Sequence, residues 1–153
     1  MQIYDRIKKD HDELRAQMKR LEEAEPEARG ELFDRFKVLL WSHARVEEAV
    51  FYAPLRGSDE TRKEILEGLN EHHLGDALLD ELEAMAVTSE SWAAKFQVLR
   101  EITEHHLEEE EEELFEMARK VLDDNEATFL GDEFDRRRQS VAEALVPVAS
   151  RAA

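Results

Sequence analysis

The segment HARVEEAVFY, residues 43–52, combines a helical apolar stripe with two side chains that are costly to bury. Val50 and Phe51 belong to the buried face of a predicted helix. His43 and Glu47 stand four residues apart, and positions i and i+4 share one face of a helix. Because an imidazole or a carboxylate is unfavourable in a core unless it has a partner, this segment predicts a helix that carries polar ligands into the protein interior.

Composition limits the number of domains and the classes of partner. The chain has 153 residues, 42% of them hydrophobic, which is enough for one domain with a core and too few for two. Acidic residues outnumber basic ones by 38 to 21, so the formal charge of -17 repels nucleic-acid phosphates and anionic membranes. The chain has no cysteine, which excludes disulfides, thiolate catalysis and iron–sulfur clusters. Cations are the expected partners, with histidine and carboxylate as ligands.

The N-terminal sequence bears on the cellular compartment. Residues 1–14 lack the basic and apolar regions of a signal peptide, and no stretch approaches 18 apolar residues. We therefore expect a cytoplasmic protein that binds neither nucleic acid nor membrane. A protein partner is not predicted.

Helix-forming residues dominate the chain, and glycine and proline are few, so we predict an all-α fold. Turn signals divide the chain into five predicted helices, at residues 2–24, 31–55, 59–87, 91–122 and 126–146. Short connections between long helices favour antiparallel neighbours. We expect residues 1–122 to form an up-down-up-down four-helix bundle, with an additional C-terminal helix and tail, residues 123–153, packed on it.

Each bundle helix carries a histidine at the same predicted height. His11 and His43 are almost equally far from the first turn, His43 and His72 from the second, and His72 and His106 from the third. At a rise of about 1.5 Å per residue, the four imidazoles lie in one layer of the bundle.

An internal repeat identifies the inward-facing side chains of the second and fourth helices. His43 and Glu47 recur, displaced by 63 residues, as His106 and Glu110, and apolar residues follow at equivalent positions. This register selects His106 over its neighbour His105.

The third helix offers two adjacent histidines, and the apolar pattern favours the first. Small or apolar residues follow His72 at the offsets that follow His11 on the first helix. The same offsets from His73 would bury three acidic residues.

Four imidazoles and two carboxylates in one layer suit two first-row transition metal ions. Glu47 and Glu110 would each bridge the two ions, and a solvent oxo or hydroxo group would join them. Asp76, four residues after His72, is a candidate for a further position, which leaves one position open to a small exogenous molecule. The predicted metal ligands are His11, His43, Glu47, His72, Asp76, His106 and Glu110.

With these residues identified, the sequence resembles the hemerythrin-like, or HHE cation-binding, family over roughly residues 3–120. The resemblance is carried by HDEL at 11–14, HARVEEAVFY at 43–52, EHHLGDALLDEL at 71–82 and HHLEEEEEELF at 105–115. It implies a four-helix bundle around two iron ions in an oxo- or hydroxo-bridged di-iron centre, which binds dioxygen, nitric oxide or peroxide.

Two departures from the oxygen carriers of that family disfavour simple reversible oxygen carriage. The carriers have an HxxxH spacing on the third helix, where this chain has Asp76 four residues after His72. On the fourth helix, Glu110 follows His106 by four residues, whereas the carriers place a carboxylate five residues on. Ligand number and charge tune the redox behaviour of a metal pair.

Each candidate ligand also has a purely structural interpretation. A single core histidine is more often hydrogen-bonded structure than a ligand, but four at one level with two acids favour metal binding. His73 and His105 are expected to be solvated or to support the ligands, and Glu48 and Glu111 are candidate hydrogen-bond partners.

Three functions are compatible with the predicted centre. The first is a di-iron module that binds or senses a small oxidant, either a diatomic ligand or peroxide. The second is a peroxide-reducing or catalase-like enzyme of oxidative-stress defence, in which Asp76 or Glu111 moves protons. The third is an iron-handling or structural bundle, stabilised by zinc, manganese or iron.

The ligand assignment predicts the result of two substitutions. His43→Ala and His106→Ala should each abolish binding of a metal pair, because each removes one of four imidazoles, while circular dichroism stays helical. Metal content after reconstitution provides the measurement, and two metals retained in either variant would contradict the assignment.

Overall fold

The computed structural model describes residues 1–152, with the side chains of residues 1–144. It has helices and turns and no strand in that range, so the predicted all-α class is confirmed. The five helices are α1 (Ile3–Glu23), α2 (Arg29–Glu47, continued to Leu55), α3 (Arg62–Glu83), α4 (Glu90–Glu109, continued to Val121) and α5 (Asp124–Ala152).

All five predicted helices are present, and the differences lie at their ends. The third helix is shorter than predicted, since it begins at Arg62 and ends at Glu83. The fifth is longer, since α5 begins at Asp124 and continues past the predicted end at 146. Residue 153 of the predicted tail lies outside the described residues, and the domain boundary at 122 stays a prediction.

Side-chain caps begin two of the helices. The Ser89 hydroxyl accepts a hydrogen bond from the backbone N–H of Trp92 and starts α4. Asp123 and Glu126 form a reciprocal capping box at the start of α5, with both N–H to carboxylate distances at 2.8 Å. These caps satisfy N–H groups that have no partner within the helix.

The first four helices enclose two apolar clusters. α1 contacts α2 and α4, and α3 contacts the same two helices. One cluster contains Ile3, Ile7, Val50, Phe51, Leu55, Ile65, Leu114 and Phe115. The other contains Leu14, Met18, Phe33, Phe36, Leu79, Leu82, Phe96 and Leu99. On each of the four helices, the predicted histidine ligand lies in sequence between residues of one cluster and residues of the other. The four histidines therefore form a polar layer between two apolar ones.

α5 packs against α1 and α2. Gly131 faces the first turn of α1, where a Cβ atom would overlap the carbonyl of Met1 and press on the backbone of Gln2 and Ile3. Glycine therefore sets how closely α5 approaches the bundle. No helix in the described range is long and apolar enough to cross a membrane.

The close approach of α5 predicts opposite effects for two glycine substitutions. Gly131→Ala should lower the free energy of unfolding by about 1–3 kcal/mol, because backbone must move to admit the methyl group. Gly30→Ala, in α2 with no atom within 4 Å of the added Cβ, should raise it by about 0.5 kcal/mol. Urea unfolding of the metal-free chain tests both, and equal effects would contradict this packing.

Candidate metal centre

The structure brings six of the seven predicted ligands together in the polar layer. The four histidines come from α1 to α4, and both glutamates from the continuing ends of α2 and α4. All six side chains are buried: His11, His43, Glu47, His72, His106 and Glu110. The rings form two pairs, with centroids 5.1 Å apart for His11 and His43 and 4.8 Å apart for His72 and His106.

The Glu47 carboxylate lies between the two histidine pairs. Its Oε2 lies 3.2 Å from Nε2 of His43, and its Oε1 lies 3.2 Å from Nε2 of His72. Ligand atoms of Glu47, His11 and His43 lie within 4.8 Å of one another, as do those of Glu47, His72 and His106. One carboxylate thus presents an oxygen to each of two neighbouring cation positions.

Glu110 spans the same two pairs from α4. Its Oε1 lies 2.9 Å from Nε2 of His106 and 3.6 Å from Nε2 of His11. Its Oε2 accepts a hydrogen bond of 3.1 Å from the Tyr52 hydroxyl. The Tyr52 ring also stacks on His72, with centroids 5.3 Å apart and planes 5° apart.

The outer nitrogen of every imidazole is held by an acidic side chain of another helix. The Nδ1 distances are 3.0 Å for His11 to Glu111, 3.0 Å for His43 to Asp10, 3.0 Å for His72 to Glu48 and 2.9 Å for His106 to Glu71. A carboxylate at Nδ1 directs Nε2 inward and makes the imidazole a stronger ligand.

Arginines support three of these four acids. Arg15 binds both oxygens of Glu111, at 2.8 and 3.1 Å. Burial acts to raise the pKa of Glu111, but hydrogen bonds from His11 and Arg15 outweigh it and lower the pKa to about 2.

The other supported acids lie on the side of α1 and α2. Arg6 and Arg138 bind Asp10, at 2.9 and 3.2 Å, and Arg45 binds Glu48 at 2.8 Å. Because Arg138 belongs to α5, the fifth helix contributes to the surroundings of the site.

Three residues of the site escaped sequence reasoning. Asp10 and Glu71 directly precede the ligands His11 and His72, but each binds a histidine on the next helix, which no local pattern indicates. Tyr52 ends the quoted segment 43–52 and reads as a core aromatic residue. The expected partners Glu48 and Glu111 occupy the predicted role.

Asp76 is the predicted ligand that lies apart from the six converging side chains. Its carboxylate accepts a hydrogen bond of 2.7 Å from Arg45, and it belongs to neither group of converging ligand atoms. Asp76 also lines the cavity that borders His72 and His106, and its role as a ligand stays a prediction. His73 is exposed, and His105 lies 3.0 Å from Glu109 with 66% of its side chain exposed.

π-helical turns follow the ligands on both α2 and α4. They span Glu48–Tyr52 and Glu110–Leu114. A π turn inserts one extra residue into a helix and is frequent at functional sites. The aromatic residues that end the repeated segments then face the site, since Phe115 stacks over His11 as Tyr52 does over His72.

The buried polar atoms at the centre test whether metal ions fit. His11 Nε2, His43 Nε2, both oxygens of Glu47 and Glu110 Oε1 are buried without a hydrogen-bond partner. Leaving such groups unpaired costs stability. They converge from four helices, offer only nitrogen and oxygen donors and point at one another, so cations bound among them would satisfy them together.

The electrostatics of the metal-free site agree with this fit. Burial acts to lower the pKa of His43, but the negative charge of Glu47 and the hydrogen bond to Asp10 raise it to about 9. Burial also acts to lower the pKa of His106, but the negative charge of Glu110 outweighs burial and raises that pKa. Without metal, protons on these histidines balance the buried carboxylates.

Access to the two halves of the site differs. A cavity of about 30 Å³ is lined by Tyr52, Glu110 and His106, and a second of the same volume by His72 and His106. Such volumes hold a water-sized molecule. On the other half, the α5 residue Phe134 packs 5.8 Å from the His43 ring.

Comparison with known proteins agrees with this site. The sequence profile of the Hemerythrin HHE cation binding domain matches residues 2–118. The chain belongs to the hemerythrin HHE cation-binding family. The predicted resemblance is therefore confirmed, and the match covers α1 to α3, α4 as far as residue 118, and all six converging side chains of this hemerythrin-like protein.

A solved structure supports the fold of the hemerythrin-like chain. The crystal structure of a hemerythrin HHE cation binding domain-containing protein from Mycobacterium kansasii matches with a TM-score of 0.85 and 22% sequence identity. The match covers 95% of this chain and 90% of that one, so it includes α5 as well as the bundle. No curated protein sequence matches the chain.

The raised histidine pKa values predict proton release on metal binding. At pH 7, binding of Zn²⁺ to the metal-free protein should release more than one proton per chain, because ligand imidazoles must be neutral. Affinity should rise with pH to about 9, the pKa of His43. Calorimetry in buffers of different ionisation enthalpy measures the protons, and binding without release would contradict the assigned charges.

The raised pKa of His43 also predicts how the stability of the metal-free protein changes with pH. A pKa raised from 6.5 to about 9 adds stability that is complete below pH 6.5 and lost as the pH rises through 9. The metal-free protein should therefore unfold at lower urea concentration at pH 9 than at pH 6.5, whereas the Zn²⁺-loaded protein should not show this loss, because its His43 carries no proton.

Proposed function

We propose that this hemerythrin-like protein is a non-heme di-iron protein that binds or senses a small oxidant: dioxygen, nitric oxide or peroxide. The observation that carries the proposal is the convergence of four buried imidazoles and two buried carboxylates beside cavities of about 30 Å³, with Nε2 of His11 and His43, both oxygens of Glu47 and Oε1 of Glu110 left without a hydrogen-bond partner.

The ligand set supports a pair of ions. His11 and His43 form one half, His72 and His106 form the other, and Glu47 faces both. Nitrogen and oxygen donors without sulfur suit iron, manganese or zinc. Two iron ions would supply one-electron redox chemistry and positions for a small ligand.

The protein leaves the His72 and His106 half accessible to that ligand. Both water-sized cavities border His106, whereas α5 covers the His43 side with Phe134. Cavities of this volume admit a diatomic molecule or peroxide and exclude larger organic substrates. The chain would thus select its ligand by size.

The pairing of the nearby acids with arginine favours ligand binding over catalytic turnover. Glu111 and Asp76 were the candidates to move protons in an enzyme, but Arg15 holds Glu111 and Arg45 holds Asp76. A carboxylate with a pKa of about 2, such as Glu111, takes up few protons near neutral pH, which makes it a poor acid–base catalyst.

One observation favours the alternative of a peroxide-reducing or catalase-like enzyme. The Tyr52 hydroxyl donates a hydrogen bond to Glu110 and lines the accessible cavity. Burial raises the pKa of Tyr52 well above its usual value, with the charge of Glu110 adding to it, and this keeps the phenol protonated. Tyr52 therefore keeps its O–H, which could donate a hydrogen bond to a peroxide at the His106 half.

We also propose the up-down-up-down direction of the bundle helices. Along α1 the residues of the Ile3 cluster precede those of the Leu14 cluster, and along α2 the order is reversed. α3 repeats the order of α1, and α4 that of α2. The helices would alternate in direction, so that each carries its ligands through the same layer.

Iron reconstitution under anaerobic conditions tests the function. We expect about two irons per chain, because the ligands form two neighbouring positions, and near-ultraviolet absorption after exposure to air. His73→Ala is the matched control for His43→Ala, since it removes an exposed histidine, and it should retain both irons.

Ligand addition then separates the two functions. A stable spectral change with one equivalent of nitric oxide or peroxide supports the binding protein, whereas oxygen evolution over many equivalents supports the enzyme. One iron or none in the wild type would contradict a di-iron function.

A further inference from the structure

The four acids that hold the histidines differ in one respect. Asp10, Glu48 and Glu111 are each paired with arginine. Glu71, the partner of His106, has no Arg or Lys nitrogen within 4.0 Å among the side chains of residues 1–144. The negative charge of the outer ring is therefore uncompensated at one corner, between α3 and α4.

Glu71 instead belongs to a second group of potential ligands at the surface. Ligand atoms of Glu71, His105 and Glu109 lie within 4.8 Å of one another. His105 Nε2 lies 3.0 Å from Oε1 of Glu109. One imidazole and two carboxylates are a donor set for Fe²⁺, Mn²⁺ or Zn²⁺.

This surface group lies where an outer groove and an inner cavity meet. The groove, of about 510 Å³, is lined by Glu67, Glu71, His105 and Glu109 among others, and by one basic residue, Lys63, which lies 3.9 Å from Glu67. The inner cavity of about 30 Å³ shares its three glutamates and continues to His106 and Glu110. The acidic side chains that line the inner cavity are Glu64, Glu67, Glu71, Glu109, Glu110 and Glu113.

The inner end of this path is the buried carboxylate of Glu110. Glu110 is 3% exposed, and its Oε1 is buried with no hydrogen-bond partner. Glu110 lines the cavity, and its Oε1 lies 2.9 Å from Nε2 of His106. Burial of the carboxylates increases along the path: 39% of the Glu109 side chain is exposed, 26% of Glu71 and 4% of Glu110.

We propose that Glu71, His105 and Glu109 form a loading site for a divalent metal cation, from which the cation reaches His106 and Glu110 along the inner cavity. The inference rests on the proposed function, since it gives the route by which the metal pair is filled. Clefts lined by one sign of charge concentrate ions of the opposite sign and raise their association rates. The exposure of His105 and Glu109 suits a weak site that releases its ion inward.

The surface position of the group also accounts for part of the run Glu108 to Glu113. Neighbouring acids on one helix repel one another. Within the run, Glu109 and Glu113 border the path and Glu110 ends it, whereas Glu111 turns to α1 to bind His11 and Arg15. A cation at the loading site would relieve the repulsion between Glu109 and Glu113.

The test compares two double variants in the rate of metal uptake. H105A/E109Q removes two of the three surface ligands and leaves every contact of the inner ligands intact. H73A/E108Q is matched to it, because it also removes one exposed histidine and one exposed negative charge, and neither residue lines the groove or the cavity.

We expect Fe²⁺, added anaerobically to the metal-free chains in a stopped-flow experiment, to load H105A/E109Q about ten-fold more slowly than wild type, as loss of electrostatic focusing implies. H73A/E108Q should load at the wild-type rate, and all three should reach the same final iron content. The difference between the variants should shrink as salt is added.

A second measurement detects the loading site directly. With the inner site filled by iron, a further weak equivalent of Mn²⁺ should bind to wild type and to H73A/E108Q, with loss of the free-ion electron paramagnetic resonance signal, and not to H105A/E109Q. Equal uptake rates in both variants, or Mn²⁺ binding to H105A/E109Q, would overturn the loading site alone. A wild type that takes up no pair of metal ions would overturn the proposed function together with it.

Discussion

Four hydrogen bonds between histidine and carboxylate hold the polar layer together, and each joins two helices. They link His11 to Glu111, His43 to Asp10, His72 to Glu48 and His106 to Glu71. Because the outer nitrogen of each ring is occupied, the inner nitrogen must face the centre. The bonds thus set both the spacing of the four helices and the direction of the ligands, and a burial that would otherwise be costly becomes a constraint on the fold.

The two halves of the centre share one plan and differ in their surroundings. Tyr52 stacks on His72 at the place where Phe115 stacks over His11. α5 places Phe134 against the His43 side, whereas small cavities border His106 on the other side. A repeated ligand motif therefore gives two inequivalent positions, because the fifth helix covers one side of the bundle alone.

The chain has a net charge of -17, and its charged groups are distributed unevenly around this centre. Arginines compensate the outer acids on three sides, and Arg138 reaches Asp10 from α5. On the side between α3 and α4, Glu71 and Glu109 have no Arg or Lys nitrogen within 4.0 Å among the side chains of residues 1–144, and Lys63 lies 3.9 Å from Glu67. The compensated sides stabilise the ligand geometry, whereas the acidic side favours the approach of cations.

Sequence alone determined the helical class, the order of the helices and the six side chains that converge in the polar layer. Helical spacing relates His43 to Glu47 and His106 to Glu110 within one element, and near-equal distances from the turns bring His11 and His72 to the same height. Only the tertiary structure decided that Asp10 and Glu71 bind the outer nitrogens of His43 and His106. It also decided that Asp76 pairs with Arg45, and which side of the bundle α5 covers. These are contacts between helices, and their geometry depends on how the helices rotate and approach, which no periodicity within one helix encodes.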